Sequence, residues 1–306
     1  MREQLLAELL GSVWSIDADG AGVLRRMMHA LAAGRQEEAS LLAAGLAVDH
    51  GADRAVVADV GTGAGVAQGG VMVISIRGVI RPRASFLEQL FGIGGGIDTM
   101  QRQFRDALAS EAITGIVFDI DSPGGTVIGV AEFAEEIRAA RGIKPIVAVA
   151  NGVAMSAAFW LAAQADKFFV TPSGATGSVG ALSMHQDFSG FEDQIGIKTT
   201  LIPSRPLKIE GHPFAPLEDE ARAQIEARVK VFDAMFVKAL AAGRGVSPKV
   251  ASAAFGDGRP VLAKDAVAAG MADDVLSFDA ALAKLAKPAR ARRGAMALDP
   301  RRFDFA

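Results

Sequence analysis

The sequence predicts an α/β fold built on a largely parallel sheet with crossover helices. Three observations carry this. Apolar runs of strand length alternate with amphipathic stretches of helix length through the middle of the chain. The runs are apolar throughout rather than alternating, as strands are when helices cover both faces of a sheet. Successive units recur at about 30 residues, room for a strand, a crossover helix and a return. No matching side-chain pattern accompanies that rhythm, so it is architecture and not an internal repeat.

The elements follow in chain order. Residues 1–50 read as short helices, with Leu24, Met27, Met28 and Leu31 near helical spacing. Residues 51–70 turn polar and then glycine-rich, the composition of a linker, and place a boundary near residue 70. Val71 to Ile76 is a strand candidate. The glycine-rich run at 91–98 lacks the Lys-Ser/Thr of a nucleotide loop and the dinucleotide spacing, and reads as a surface loop. Asp98 to Leu108 reads as a helix and Ile116 to Ile120 as an apolar strand. Val130 to Arg141 reads as a helix that sets Phe133, Ala134 and Ile137 against Glu132, Glu135, Glu136 and Arg138. Ile146 to Ala150 is the next strand, Ala157 to Ala163 a helix, and Lys167 to Val170 a strand. Glu218 to Ala241 carries a stripe of Ile225, Val229, Phe232, Phe236 and Leu240, expected to lie on the sheet or on a partner. The domain plan is therefore a helical leader and linker over 1–69, a main domain over 70–282, and a basic tail over 283–306. Solvation is the expected state of that tail, with nucleic acid or an acidic partner as the rival.

Composition narrows the chemistry. Half of the residues are hydrophobic, enough for a large core, and a net charge of −3 disfavours a nucleic-acid coat. Cysteine is absent, which excludes disulfides, thiolate metal sites and a cysteine nucleophile. Tyrosine is absent too, and the four histidines are scattered, so neither a metal nor a cofactor is expected. Met1 to Gly11 carries Glu3 and Glu8 and lacks the apolar core of an export signal. Ile146 to Ala163 has no charge over 18 residues, the lower length of a membrane span. Gly152 interrupts it and Lys144 and Asp166 flank it, so a buried strand followed by a buried helix is expected instead.

Three segments hold candidate chemistry. Asp121-Ser122-Pro123-Gly124-Gly125 follows the strand at 116–120, at the strand ends where active groups of parallel sheets collect. Its paired glycines could aim backbone N–H groups at an oxyanion, though Pro-Gly-Gly is also an ordinary turn. Asn151 to Ala157 follows the next strand and puts Ser156 near the start of an apolar helix, where free amides favour negative charge; a packed or capping serine is the alternative. Ser204 to Pro213 puts Lys208 between apolar neighbours. A desolvated lysine there could take a serine proton, whereas most lysines are solvated surface groups.

Taken together, these segments resemble the signal peptide peptidase A-like family of serine peptidases (S49), and within it the phage and prophage capsid assembly protease (minor capsid protein C) branch. Asp121 to Gly125 resembles the family's glycine loop, and Asn151-Gly152-Val153-Ala154-Met155-Ser156-Ala157-Ala158 its nucleophile segment. Ala165-Asp166-Lys167 with Thr176-Gly177-Ser178-Val179-Gly180 resembles the next block. Gly196-Ile197-Lys198 with Leu207 to Phe214 resembles the block that supplies the base. Gly258-Arg259, Ala266 and Gly270 to Asp273 fit the closing region, and Gly11, Trp14 and Asp17 fit the branch's leading segment.

The resemblance implies a ClpP/crotonase-like fold and a Ser–Lys dyad: Ser156 as nucleophile, Lys208 as general base, and an oxyanion hole from the amides of Gly124, Gly125 and Ala157. Ser178 is implied as a support for Lys208. His185, with Asp187 close by, is the rival base by analogy with Ser-His-Asp relatives. The implied partners are protein substrates, in this branch scaffold, portal or coat proteins, and further copies of the chain in a ring. The membrane anchor of the signal peptide peptidases has no counterpart here, so the implied place is the bacterial host cytoplasm or a prohead, without stable membrane association. Only the short tail follows residue 282, so a self-released scaffold is expected to be missing or encoded separately. Three other functions stay open: a catalytically silent capsid component, a general peptide-degrading peptidase, and a crotonase-type acyl-CoA enzyme.

Overall fold

The computed structural model describes residues 66–68, 70–83 and 96–286. The leader expected to be helical, most of the glycine-rich run at 91–98 and the tail beyond 286 lie outside the described residues. Strand β1 (Val66–Gln68) pairs antiparallel with β2 (Val71–Ile80). Helix α1 (Ile97–Ala109) leads to β3 (Gly115–Gly125), α2 (Val130–Ala139) to β4 (Ile146–Met155), and α3 (Ala157–Ala162) to β5 (Lys167–Val170). After β6 (Ala175–Gly177) come α4 (Ser189–Ile195), a 3₁₀ turn (Pro206–Ile209) and the long α5 (Asp219–Arg244). The described chain closes with α6 (Pro248–Ala254), β7 (Pro260–Leu262), α7 (Ala263–Ala268), β8 (Asp274–Val275) and α8 (Phe278–Ala286).

Among the described residues eight strands form one sheet, in the order β1-β2-β3-β4-β5-β8, with β6 on β4 and β7 on β6. Every pairing from β2 to β8 is parallel except β6–β7, so the expected mainly parallel α/β sheet is what the chain forms. On one face lie α1, α2, α3 and α5. The i, i+3 and i+7 positions of α1 (Ile97, Met100, Phe104) and Val130, Phe133 and Ile137 of α2 are buried there. Phe104, Phe118 and Phe133 meet with ring centroids 5.7–6.0 Å apart. The other face is covered at the strand starts, where α8 sets Ala281, Leu282 and Leu285 over Val71, Val117, Val147, Val149 and Phe169. Two covered faces explain the unbroken apolar runs.

Several boundaries differ from expectation. Val66–Gln68, placed in the linker by composition, is an edge strand. The expected end of the main domain at 282 falls inside α8, because Leu285 still packs against Gly115. The uncharged stretch at 146–163 is β4 followed by the fully buried α3, and no helix among the described residues is long and apolar enough to cross a membrane. The stripe on α5 is buried only from Phe236 onward, where Phe236 stacks on Trp160 at 4.7 Å; Ile225 and Val229 are half-buried.

Candidate active site

Ser156 sits between the last residue of β4 and the first of α3. Its backbone is at φ 51°, ψ −120°, a region that non-glycine residues occupy only under constraint. The constraint is visible on both sides. The Ser156 N–H donates to the Gly177 carbonyl at 2.8 Å, tying the turn to β6, and the Ser156 carbonyl accepts the Trp160 N–H at 2.9 Å, starting α3. Thr176, fully buried, donates its hydroxyl to the Ala154 carbonyl at 2.7 Å and holds the same two strands together. Such a strand–turn–helix lifts a serine hydroxyl out of the sheet although the sequence has no Gly-x-Ser-x-Gly. The amides of Ala157 and Ala158 then open α3 without an intrahelical acceptor.

The glycine segment comes to the same point. Residues 121–125, expected as a loop beyond β3, are instead its last five residues. They pair with β2 (Val79 with Gly124, Ile80 with Gly125) and leave no room for side chains. A Cβ on Gly124, at φ +102°, would lie 2.7 Å from the Ser156 Cβ and 3.0 Å from the Ala157 N. A Cβ on Gly125 would lie 2.0 Å from the Ile80 carbonyl oxygen. The fold therefore brings Gly124, Gly125, Ser156 and Ala157 together. Ser178 directly follows the Gly177 carbonyl that holds Ser156, at φ 52° and with its own N–H on the Arg259 carbonyl.

Lys208 and His185 lie on a different part of the chain. The segment from Leu182 to Phe214 is mostly exposed, and neither α4 nor the 3₁₀ turn that carries Lys208 has a buried residue. Lys208 itself is exposed. The His185 Nε2 donates to the His212 carbonyl oxygen at 3.1 Å, and the Phe214 N–H donates to His212 Nδ1 at 3.2 Å. Asp187 accepts the Ser189 N–H at 2.9 Å, and the Ser189 backbone and hydroxyl hold its carboxyl below the usual range. Leu182, Ser183 and His185 face Leu217 and, on α5, Ile225 and Val229 across an open cleft of about 490 Å³.

Sequence reasoning missed a polar group beside the site. Asp119, nearly buried on β3, pairs with Arg77 of β2 at 2.5 Å and accepts from Asn151 Nδ2 at 3.1 Å. Asp121 accepts the Val153 N–H at 3.2 Å. Two aspartates at alternate positions in an otherwise apolar strand were the available signal.

The model of peptidase family S49 matches residues 138–292, which include Ser156, Ser178 and Lys208. The chain belongs to peptidase family S49. The resemblance read from the four motif blocks is thus met at the family level. The capsid assembly protease C of Escherichia phage lambda is 30% identical over 227 residues, 73% of this chain and 50% of that protein. The head-tail preconnector protein GP5 of Enterobacteria phage P21 is 30% identical over 220 residues, 71% of this chain and 43% of that protein. Protease 4 of Salmonella typhi is 28% identical over 207 residues, 67% of this chain and 33% of that protein. This S49 chain spans about half the length of the curated relatives it matches first. Among solved structures, a serine-to-alanine variant of a 1510-N membrane-bound stomatin-specific protease matches with a TM-score of 0.44 at 14% identity, over 72% of this chain and 85% of that one.

Proposed function

We propose that this chain is a serine endopeptidase that processes phage head proteins. The observation that carries the proposal is Ser156, held at a strained turn with Gly124 and the Ala157 amide packed against it. In the proposed reaction Ser156 Oγ attacks a substrate carbonyl and neutral Lys208 takes its proton. The N–H groups of Gly125 and Ala157 stabilise the tetrahedral oxyanion. Gly124 contributes chiefly its missing side chain, since its N–H is already given to Ser122 Oγ at 3.1 Å. Protonated Lys208 returns the proton to the leaving amine, and water then hydrolyses the acyl-enzyme. Ser178, next to the peptide that anchors Ser156, supports the Lys208 amine.

Lys208 is exposed on a single chain. A general base needs it covered, and a neighbouring copy in a homo-oligomeric ring would cover it together with the exposed Leu182, Ile202 and Leu207 of the same segment. Relatives named as a capsid assembly protease and a head-tail preconnector protein support head, scaffold or portal proteins as substrates, and the host cytoplasm or the prohead as the place. The test incubates wild type, Ser156→Ala, Lys208→Ala and His185→Ala with a candidate scaffold protein and reads cleavage by mass spectrometry. Loss with Ser156→Ala and Lys208→Ala, and retention with His185→Ala, is expected. Cleavage lost with His185→Ala but kept with Lys208→Ala would move the base to His185. Equal cleavage by all four would sink the dyad.

A further inference from the structure

Ser122 has no part in the proposed reaction, yet it is a fully buried polar side chain beside the site (0% exposed). It lies where two ladders slip. The β2–β3 register shifts between Arg77 and Val79, and the β3–β4 register shifts between Ile120 and Ser122. A slip of this kind leaves an extra residue outside the ladder with its peptide groups unpaired. Between β2 and β3 the extra residue is on β3, where Ser122 and Pro123 stand opposite the single Gly78 of β2, at φ +67°. The Ser122 hydroxyl donates to the Gly78 carbonyl oxygen at 2.6 Å. The Ser122 Oγ in turn accepts the Gly124 N–H at 3.1 Å. One hydroxyl thus uses both its donor and an acceptor lone pair to satisfy two backbone groups that the slipped ladders leave over.

The consequence reaches the oxyanion side of the site. Gly124 is gripped at its N–H by Ser122, and Gly125 is pressed against the Ile80 backbone. The peptide between them ends in the Gly125 N–H, and with both flanks held its rotation is set. We propose that Ser122 is a positioning residue: by pinning Gly124 to Gly78 of β2 it aims the Gly125 amide at the carbonyl under attack by Ser156. This rests on Ser156 being the nucleophile. Losing the hydroxyl frees the Gly124 N–H and the Gly78 carbonyl, and the glycine segment relaxes away from Ser156.

The test uses the full chain and a fluorophosphonate probe, with labelling of Ser156 followed by mass spectrometry over a range of probe concentrations. Ser122→Ala is expected to lower the saturating labelling rate about 100-fold with the apparent binding constant unchanged, as a misplaced oxyanion donor does. Ser122→Thr, which keeps the hydroxyl, recovers most of that rate. Ile137→Val removes a buried methyl on α2 and serves as a control for lost stability; it keeps the wild-type rate. Should Ser122→Ala fail to fold, Ser122→Cys, a weak donor of similar size, takes its place with the same expectation. Wild-type labelling in the Ser122 variant, or equal slowing in Ile137→Val, overturns the proposal. A wild-type protein unlabelled at Ser156 would instead sink the nucleophile reading. Amide exchange of the 122–126 peptide then decides about Ser122: faster exchange at Gly124 in Ser122→Ala than in Ile137→Val supports pinning, and equal exchange overturns it.

Discussion

At Ser156 the backbone holds a conformation that suits glycine better than serine, at φ 51°. Strain of this kind costs about 1–3 kcal/mol and persists only where the surroundings over-determine it. Ser156→Gly is therefore expected to unfold at higher denaturant concentration than Ser156→Ala, by about 1 kcal/mol, while both lack the nucleophile. Equal midpoints would show that the turn is unstrained. Gly124 is the converse case. Its φ of +102° and the 2.7 Å approach of an added Cβ to Ser156 leave no place for alanine. Gly124→Ala should lose Ser156 labelling by about 100-fold or more, since a shift of about 1 Å at the reacting atoms has that effect. The residue types at both positions were legible in the sequence. Their conformation was not, because a positive φ at a serine follows from the anchors at Gly177 and Trp160 and from no local propensity.

Among the elements, β3 and β4 run five residues further than their apolar cores at 116–120 and 146–150. Asp121, Ser122, Pro123 and Asn151 are poor strand formers, so composition ends both strands early. Pairing with β2 and β6 carries them on, and the site is thereby built on strand ends and not on free loops. Arg141 joins the helices beneath. Its guanidinium donates to the carbonyls of Ala163, Gln164 and Ala165 after α3 and of Gly243 in α5, at 2.7–3.1 Å, and burial pulls its pKa below the usual value. Arg141→Met should cost about 2–3 kcal/mol in urea unfolding, because those carbonyls lose a charged donor; a loss below about 0.5 kcal/mol would assign the helix junction to packing alone.

Asp273 ties β5 to the end of α5, accepting from the Phe168 N–H at 2.9 Å, Arg244 at 2.9 Å and Lys167 at 3.0 Å. Burial alone would raise its pKa, but these bonds outweigh that and hold it below the usual value. A carboxyl depressed in the folded state contributes stability above its unfolded pKa, near 3.9, and loses it as pH falls through the folded value. Asp273→Asn should thus be less stable than wild type at pH 7, with the gap closing below about pH 4 in urea titrations. A gap that stays constant down to pH 2.5 would remove Asp273 from the acid response.

For the whole molecule, the segment from Leu182 to Phe214 is mostly exposed and carries several large apolar side chains on its surface. Leu182 is 89% exposed and Ile202 92%, with Met184, Phe191, Ile197 and Leu207 also open. An apolar surface of this extent is usually covered in the working assembly. Sedimentation of wild type should show an oligomer, and Leu182→Ser with Ile202→Ser should shift it to smaller species with the far-UV spectrum unchanged. A monomeric wild type would remove the ring from the proposed function.

Residue order alone reveals the α/β class, the succession of strands and helices through the middle of the chain, and the four motif blocks that resemble family S49. Those features are written in local hydrophobic period and in short runs of residue types, which need no third dimension to be read. Tertiary structure alone decided the rest. It turned the glycine loop into strand, bent Ser156 into its constrained turn, gave Ser122 two backbone groups to hold, and set Lys208 on an exposed segment away from the core. The first three depend on pairing between residues about 20 to 45 positions apart, and the energy of such a contact is a property of the two partners together.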